Sequence, residues 1–178
     1  MNNARLQQIQ LLILDVDGVL TNGQIVYTST GEELKYFHVR DGTAIKAWQQ
    51  TGRKLAIISG RSSPAVTIRA KELGIQLIYQ GVADKSVALS SILAKESLEP
   101  TQVAAMGDDL ADICLFLQVG VGIAVANACA ELRQLAYFTT NAHGGDGAVR
   151  EAIEYLLTPS GEWKRVVARF HELSSSKE

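Results

Sequence analysis

Three short runs in this chain are apolar at every residue, and each gives way abruptly to acidic or hydroxyl side chains. Residues 11–14 (LLIL) run into Asp15-Val16-Asp17-Gly18, residues 55–58 (LAII) into Ser59-Gly60-Arg61, and residues 103–106 (VAAM) into Gly107-Asp108-Asp109. A short run with no polar alternation is a strand buried on both faces, and such strands belong to parallel sheets covered by helices. Residues 77–79, 121–125 and 136–138 read as further strands of this kind. Helical patterns fill the intervals, at about 42–51, 64–73, 85–96, 110–117 and 128–135. Boundary signals agree: Ser62-Ser63-Pro64 offers a cap and a first-turn proline, Gly74 a stop, and Asp84 a cap for the helix that begins at Lys85. The alternation predicts βαβ units with right-handed crossovers, hence an α/β fold with a doubly wound, mostly parallel sheet.

One stretch breaks the rhythm. Residues 24–39 hold two alternating runs around Ser-Thr-Gly-Glu, which predicts a β-hairpin where a crossover helix would otherwise follow the first strand. Trp163, Val166, Val167, Phe170 and Leu173 recur at helical spacing, predicting a helix at about 161–173, with Trp163 and Phe170 packed on the core or, alternatively, at an interface. The tail from Ser174 is expected to fray. Nothing divides the 178 residues, so 1–178 reads as a single domain.

Lysine and arginine total 17 against 19 acidic residues, a net charge of −2 that gives no electrostatic reason to expect nucleic acid or an anionic membrane as partner. The longest apolar runs fall well short of the ~18–20 residues that span a bilayer. MNNARLQQIQ lacks the basic and apolar segments of a secretory signal. Cys114 and Cys129, without CxxC spacing, read as small buried hydrophobes. These features fit a cytoplasmic protein.

In an open parallel sheet, function collects at the carboxyl ends of the strands. Here those ends carry Asp15, Asp17, Asp108 and Asp109, with Asp112 one turn further on. Mutual repulsion among so many carboxylates calls for a divalent cation, and an all-oxygen donor set with no His or Cys favours Mg²⁺. A metal at Asp15 and Asp108 would bind a phosphate oxygen and leave Asp15 placed to attack phosphorus. Asp17 would protonate the leaving alcohol and later activate water. Ser59 and Lys85 would hold the phosphate. Lys85 sits in the first turn of its helix, where a cation opposes the macrodipole by ~0.3–1 kcal/mol, and facing a phosphate explains that placement better than solvation does.

Asp15-Val-Asp17-Gly-Val-Leu-Thr21, Ser59-Gly-Arg61, Lys85 and Gly107-Asp108-Asp109-x-x-Asp112 resemble, in order, the four motifs of the haloacid dehalogenase superfamily of phosphatases. The resemblance covers about residues 11–112 and implies Asp15, Asp17, Ser59 and Lys85 as catalytic residues and Asp15, Asp17 and Asp108 as Mg²⁺ ligands. The first gap holds only the hairpin and 79–85 is a short loop, so no cap domain is expected. His38-Val39-Arg40-Asp41-Gly42, Ser59-Gly-Arg61 and Gly144-Gly145-x-Gly147-Ala-Val-Arg150-Glu151 extend the similarity to about residue 151. With them the chain resembles the phosphatases of 3-deoxy-D-manno-octulosonate 8-phosphate, of bacterial lipopolysaccharide synthesis.

That resemblance implies substrate contacts at Asp17, His38, Val39, Arg40, Asp41, Gly42, Lys46, Arg61, Arg69, Lys85 and Asp109. It also implies a homotetramer built through the hairpins, with each site covered by a neighbouring subunit. Arginine at 40, 61 or 69 could take the sugar acid's carboxylate bidentately. Asp146 puts a negative charge in the glycine-rich loop, so 144–147 reads as a turn ahead of a helix, and His143 and His171 read as surface residues. The alternative substrate is a nine-carbon sugar acid 9-phosphate of sialic-acid type. A glutamate in place of Arg61 would favour it. A receiver-type signalling domain would carry adjacent acids after its first strand and an aspartate after its third, which this chain lacks. A catalytically silent scaffold would be expected to lose Asp15, Asp17 or Lys85, and all three are present.

Overall fold

The apolar runs build a single sheet. The computed structural model describes residues 3–175. In chain order the strands are β1 (Leu11–Leu14), β2 (Val26–Tyr27), β3 (Glu33–Leu34), β4 (Lys54–Ile58), β5 (Leu77–Tyr79), β6 (Val103–Gly107), β7 (Val121–Ala124) and β8 (Phe138–Thr139). The helices are α1 (Asn3–Gln7), α2 (Val39–Gln50), α3 (Pro64–Leu73), α4 (Lys85–Glu96), α5 (Ile113–Phe116), α6 (Ala130–Leu135), α7 (Ala148–Leu157) and α8 (Glu162–Ser175). Six strands pair in parallel in the order β5-β4-β1-β6-β7-β8, and β2-β3 stand apart as an antiparallel pair. The chain winds outward from β1 through β4 to β5, then returns to β6 on the other side of β1. That reversal makes the crevice in which α/β sheets bind ligands.

Register decides what meets there. Leu14 sits opposite Ile57 on one side and Met106 on the other, so Asp15, Ser59 and Asp108 emerge at one edge. The Asp15 N–H still donates to the Met106 carbonyl at 3.2 Å, which anchors the residue as it leaves the sheet. All four β1 side chains are buried, as a central strand with helices on both faces requires. Trp48 of α2 is wholly buried, and its indole N–H donates to the Lys54 carbonyl at 2.7 Å, satisfying the one polar atom that burial would otherwise strand.

Several boundaries differ from expectation. The hairpin expected over 24–39 pairs only Val26–Tyr27 with Glu33–Leu34, and α2 begins at Val39, absorbing a segment read as strand. A two-stranded ribbon with no sheet beneath it gains too little to extend. The helix expected at 110–117 is a 3₁₀ turn, Leu110–Asp112, followed by α5. Asp109 and Asp112 there cap each other's backbone. The last strand is Phe138–Thr139 because Ala136 caps α6. Ser63 stands at the N-cap of α3 without a side-chain bond, and its hydroxyl is buried and unpartnered among the described residues. Asp84 caps α4 as expected, accepting from the Ser86 N–H at 2.9 Å.

Helix α8, expected at 161–173, runs to Ser175, and the rest of the tail expected to fray lies outside the described residues. Trp163 packs on the core with the Arg150 guanidinium 4.5 Å from its ring, whereas Phe170 is 53% exposed, contrary to expectation. Both cysteines are half-buried rather than buried.

Candidate active site

The chain leaves β1 in a turn that breaks helical geometry. Asp17 has φ −79° and ψ 114°, and Gly18 has φ +92°. A Cβ at Gly18 would lie 2.0 Å from Asp108 Oδ2, so no side chain fits between the two loops, and the φ alone favours glycine. The glycine-rich segment backs this turn. A Cβ at Gly144 would lie 1.6 Å from the Gly18 carbonyl oxygen, the Gly145 N–H donates to the Val19 carbonyl at 2.9 Å, and the Gly144 N–H donates to Asn127 Oδ1 at 3.0 Å. Residues 144–147 therefore form a turn, as expected, and one that buttresses the turn carrying Asp15 and Asp17.

Lys85 is buried, and its ammonium donates to Asp15 Oδ1 and Asp112 Oδ1 at 2.6 Å each. Asp112 Oδ2 accepts the Asp108 N–H at 3.1 Å, so both of its oxygens are engaged. The position that was hard to explain for a lysine at a helix start is thus explained by two carboxylates. Burial works against the ammonium, but Asp15 and Asp112 outweigh it and raise the Lys85 pKa. Burial pushes the Asp15 carboxyl up to about 6, helped by the Asp112 charge and opposed by Lys85. Asp108 is pushed up to about 7, by burial first and then by the charges of Asp15, Asp112 and Asp109. One cation among three ionised carboxylates leaves an excess of negative charge.

Oxygens of Asp15, Asp108 and Asp112 all lie within 4.8 Å of one another. These residues fit a small hard cation: the donors are all oxygen, the cluster is short of positive charge, and Asp112 is already committed to Lys85 and the backbone. Asp17 does not join that carboxylate cluster. Its Oδ1 forms an ion pair with Lys35, and its Oδ2 lies 3.5 Å from Arg61 Nε. Arg61 in turn donates from Nη2 to Glu33 Oε1 at 2.5 Å. Against a desolvation that would raise it, the hydrogen bond from Arg61 and the charge of Lys35 hold the Glu33 carboxyl below its ordinary value.

These groups line a cleft of about 650 Å³, within the range that small-ligand sites occupy. Asp15, Asp17, Ser59, Arg61, Lys85, Asp108 and Asp109 all face it, together with Asp112. The Ser59 hydroxyl accepts the Arg61 N–H at 3.3 Å. His38, Val39, Arg40, Asp41, Gly42, Lys46 and Arg69 do not line this cleft. His38 precedes α2, residues 39–42 form its first turn, Lys46 stands further along it, and Arg69 belongs to α3. Asp41 is buried and accepts the Arg150 N–H at 2.8 Å, tying α2 to the first turn of α7, and burial raises its pKa. Arg69 lies against Gly42 and donates to Glu72 at 3.1 Å. Asp146 stands 3.7 Å from His38 Nε2 and 4.0 Å from Arg40, beside the start of α2 and exposed to solvent.

Sequence reasoning left three participants without a role: Asp112 as the second partner of Lys85, and Lys35 and Glu33 of the hairpin. The i+4 placement of Asp112 after Asp108 was a usable signal. Nothing local marked the other two.

Sheet order, switch point and carboxylate cluster define a haloacid dehalogenase-like hydrolase, and the family model of that description matches residues 75–153. The chain is 44% identical over 159 residues to the 3-deoxy-D-manno-octulosonate 8-phosphate phosphatase KdsC of Escherichia coli (strain K12), covering 89% of this chain and 85% of that protein. It is 45% identical over 153 residues to KdsC of Yersinia pestis, covering 86% and 82%. The crystal structure of the same phosphatase from Moraxella catarrhalis, in complex with magnesium ion, phosphate ion and KDO, matches with a TM-score of 0.92 at 43% identity, covering 94% of this chain and 97% of that one. The chain belongs to the 3-deoxy-D-manno-octulosonate 8-phosphate phosphatase family.

Proposed function

We propose that this protein is the Mg²⁺-dependent phosphomonoesterase that hydrolyses 3-deoxy-D-manno-octulosonate 8-phosphate to the free sugar acid and phosphate, a cytoplasmic step of lipopolysaccharide synthesis. The observation that carries this reading is the buried Asp15–Lys85–Asp112 group beside Asp108 at the switch point, in a chain of this family. The carboxylates of Asp15 and Asp108 would hold Mg²⁺, which would supply neutralisation of phosphate and carboxylate charge.

The chain's own residues do the rest. An Asp15 carboxylate oxygen attacks phosphorus, the bond from phosphorus to the sugar oxygen breaks, and the proton on Asp17 passes to that oxygen. Asp17, now a carboxylate, takes a proton from water as the water attacks the Asp15-bound phosphoryl group. Phosphate leaves, and both aspartates return to their starting forms. Lys85 holds Asp15 in line and faces the phosphate, Asp112 holds Lys85, and the Ser59 hydroxyl offers the phosphate a hydrogen bond.

Arg61, on the cleft wall and half in solvent, is the residue read as taking the substrate's carboxylate, which its exposure there supports. Ile25, Tyr27, Leu34 and Tyr36 leave the hairpin apolar and exposed, which supports a homotetramer assembled through it. In such an assembly His38, Val39, Arg40, Lys46 and Arg69, absent from this chain's own cleft, are the residues free to meet substrate at a neighbour's, whereas Asp41 and Gly42 are buried and hold the start of α2. The test is phosphate release from a panel holding the eight-carbon 8-phosphate, a nine-carbon 9-phosphate and small esters, with Mg²⁺ and with chelator. Preference for the 8-phosphate and silence in chelator are expected. Preference for the 9-phosphate, or full turnover in excess chelator, contradicts the reading.

A further inference from the structure

A lysine on an exposed two-stranded ribbon ordinarily sends its ammonium into water along its apolar stem. Lys35 does the reverse. Its neighbours Leu34 and Tyr36 are exposed, yet its own side chain is only 2% exposed and is turned under the ribbon onto Asp17. Burying an ammonium costs several kcal/mol unless it is paired, and here the partners are Asp17 Oδ1 and, at 3.5 Å, Glu33 Oε1. Asp17 itself stands in an irregular turn, so no helix or strand orients its carboxyl. Among the described residues its ion-pair partners are Lys35 and Arg61. The two differ in freedom. The Arg61 side chain is 42% exposed on the cleft wall and can leave for an anionic ligand, whereas Lys35 is enclosed and stays.

We infer that Lys35 is a positioning residue for the reaction: its ammonium fixes Asp17 Oδ1, so that Oδ2, once Arg61 turns to the ligand, carries the proton to the leaving oxygen. The inference rests on the reading of Asp17 as the acid. A proton donor works only within hydrogen-bond reach of the atom it serves, and misplacement by about 1 Å costs about a hundredfold. The hairpin therefore completes the site of its own chain, apart from any part it takes in assembly.

A leaving-group comparison tests this. An alkoxide needs the proton as it departs, whereas p-nitrophenolate departs readily without one. In the Mg²⁺-loaded enzyme, Lys35→Met is expected to lower the single-turnover rate of sugar release from the sugar acid 8-phosphate by about 30-fold or more and that of p-nitrophenolate release from p-nitrophenyl phosphate by less than about 3-fold, both read before the water step that the two esters share. Loss of folded enzyme would lower both alike, so the ratio is insensitive to it. Equal losses on the two esters, or none on the sugar phosphate, overturn the role of Lys35. Asp17→Asn in the same assay separates the two levels. If it shows the split and Lys35→Met does not, Lys35 alone is wrong; if Asp17→Asn shows no split, the reading of Asp17 fails and Lys35 falls with it. Should the sugar phosphate not be hydrolysed at all, the substrate reading fails, and the same ratio is read with glycerol phosphate as the alkyl ester.

Discussion

The inner and outer walls of the cleft are built in opposite ways. At the inner wall, Asp15, Lys85 and Asp112 are buried, bonded to one another and mounted on the ends of central elements that the core holds still. At the outer wall, the hairpin has two residues per strand, an exposed apolar surface and one buried cation, Lys35, reaching inward. Apolar burial and a lysine bonded to two carboxylates make the first rigid without help. The second has neither, and its surface is of the kind a second molecule covers. On the proposed reading, one chain carries the residues for the chemistry, while enclosure of the substrate falls to a second molecule.

Substitutions should separate the two walls, beginning at the inner one. Asp15→Asn keeps the shape but removes the attacking charge, so kcat should fall by several orders of magnitude while circular dichroism stays native. A folded variant with more than about a tenth of wild-type kcat contradicts the covalent route. Lys85→Met leaves Asp15 and Asp112 buried without their cation. It should abolish turnover and destabilise the fold by about 3–5 kcal/mol, read from denaturant midpoints. A loss under about 1 kcal/mol would mean that water already reaches the group.

A smaller effect concerns pH. Asp15 and Asp108 hold their protons more tightly folded, at about 6 and about 7, than the ordinary value of 3.8. The folded state therefore binds the extra protons across that window, and the metal-free protein should lose stability as pH rises from about 4 through about 7. Added Mg²⁺ should raise the melting temperature more at pH 8 than at pH 5. A metal-free protein whose stability rises with pH across that window contradicts the charge excess. The smallest effect on stability belongs to the outer wall. Ile25→Ser with Tyr27→Thr should change the unfolding free energy of the dissociated protomer by no more than about 0.5 kcal/mol. Light scattering should show smaller species, without the concentration-dependent stability of the assembled protein. These should lose preference for the sugar acid phosphate and keep activity on an aryl ester. An unchanged assembly removes the hairpin from the interface.

What the sequence discloses follows the same division. Central strands buried on both faces announce themselves as unbroken apolar runs, so the strand ends and Asp15, Ser59, Asp108 and Lys85 were readable before any coordinates. Pairings set by side-chain direction were not. Lys85 meets Asp15 across 70 positions, and Lys35 meets Asp17 across 18, with no periodicity linking either pair. The hairpin's alternation predicted more strand than formed because the pattern reports propensity while extent depends on a partner sheet. Gly144 looked like a turn residue, and only its contact with the Gly18 carbonyl shows that the turn supports the loop that carries Asp15 and Asp17.

The central claim is that the phosphoryl group passes through Asp15. Mg²⁺-loaded enzyme mixed with the sugar acid 8-phosphate, quenched in acid within one turnover, treated with borohydride and mapped by mass spectrometry reads this directly. The account predicts that the reduced, formerly phosphorylated residue is Asp15 and that Asp15→Asn shows no label. A burst of released sugar acid with Asp15 unmodified, or the label at another carboxylate, contradicts it.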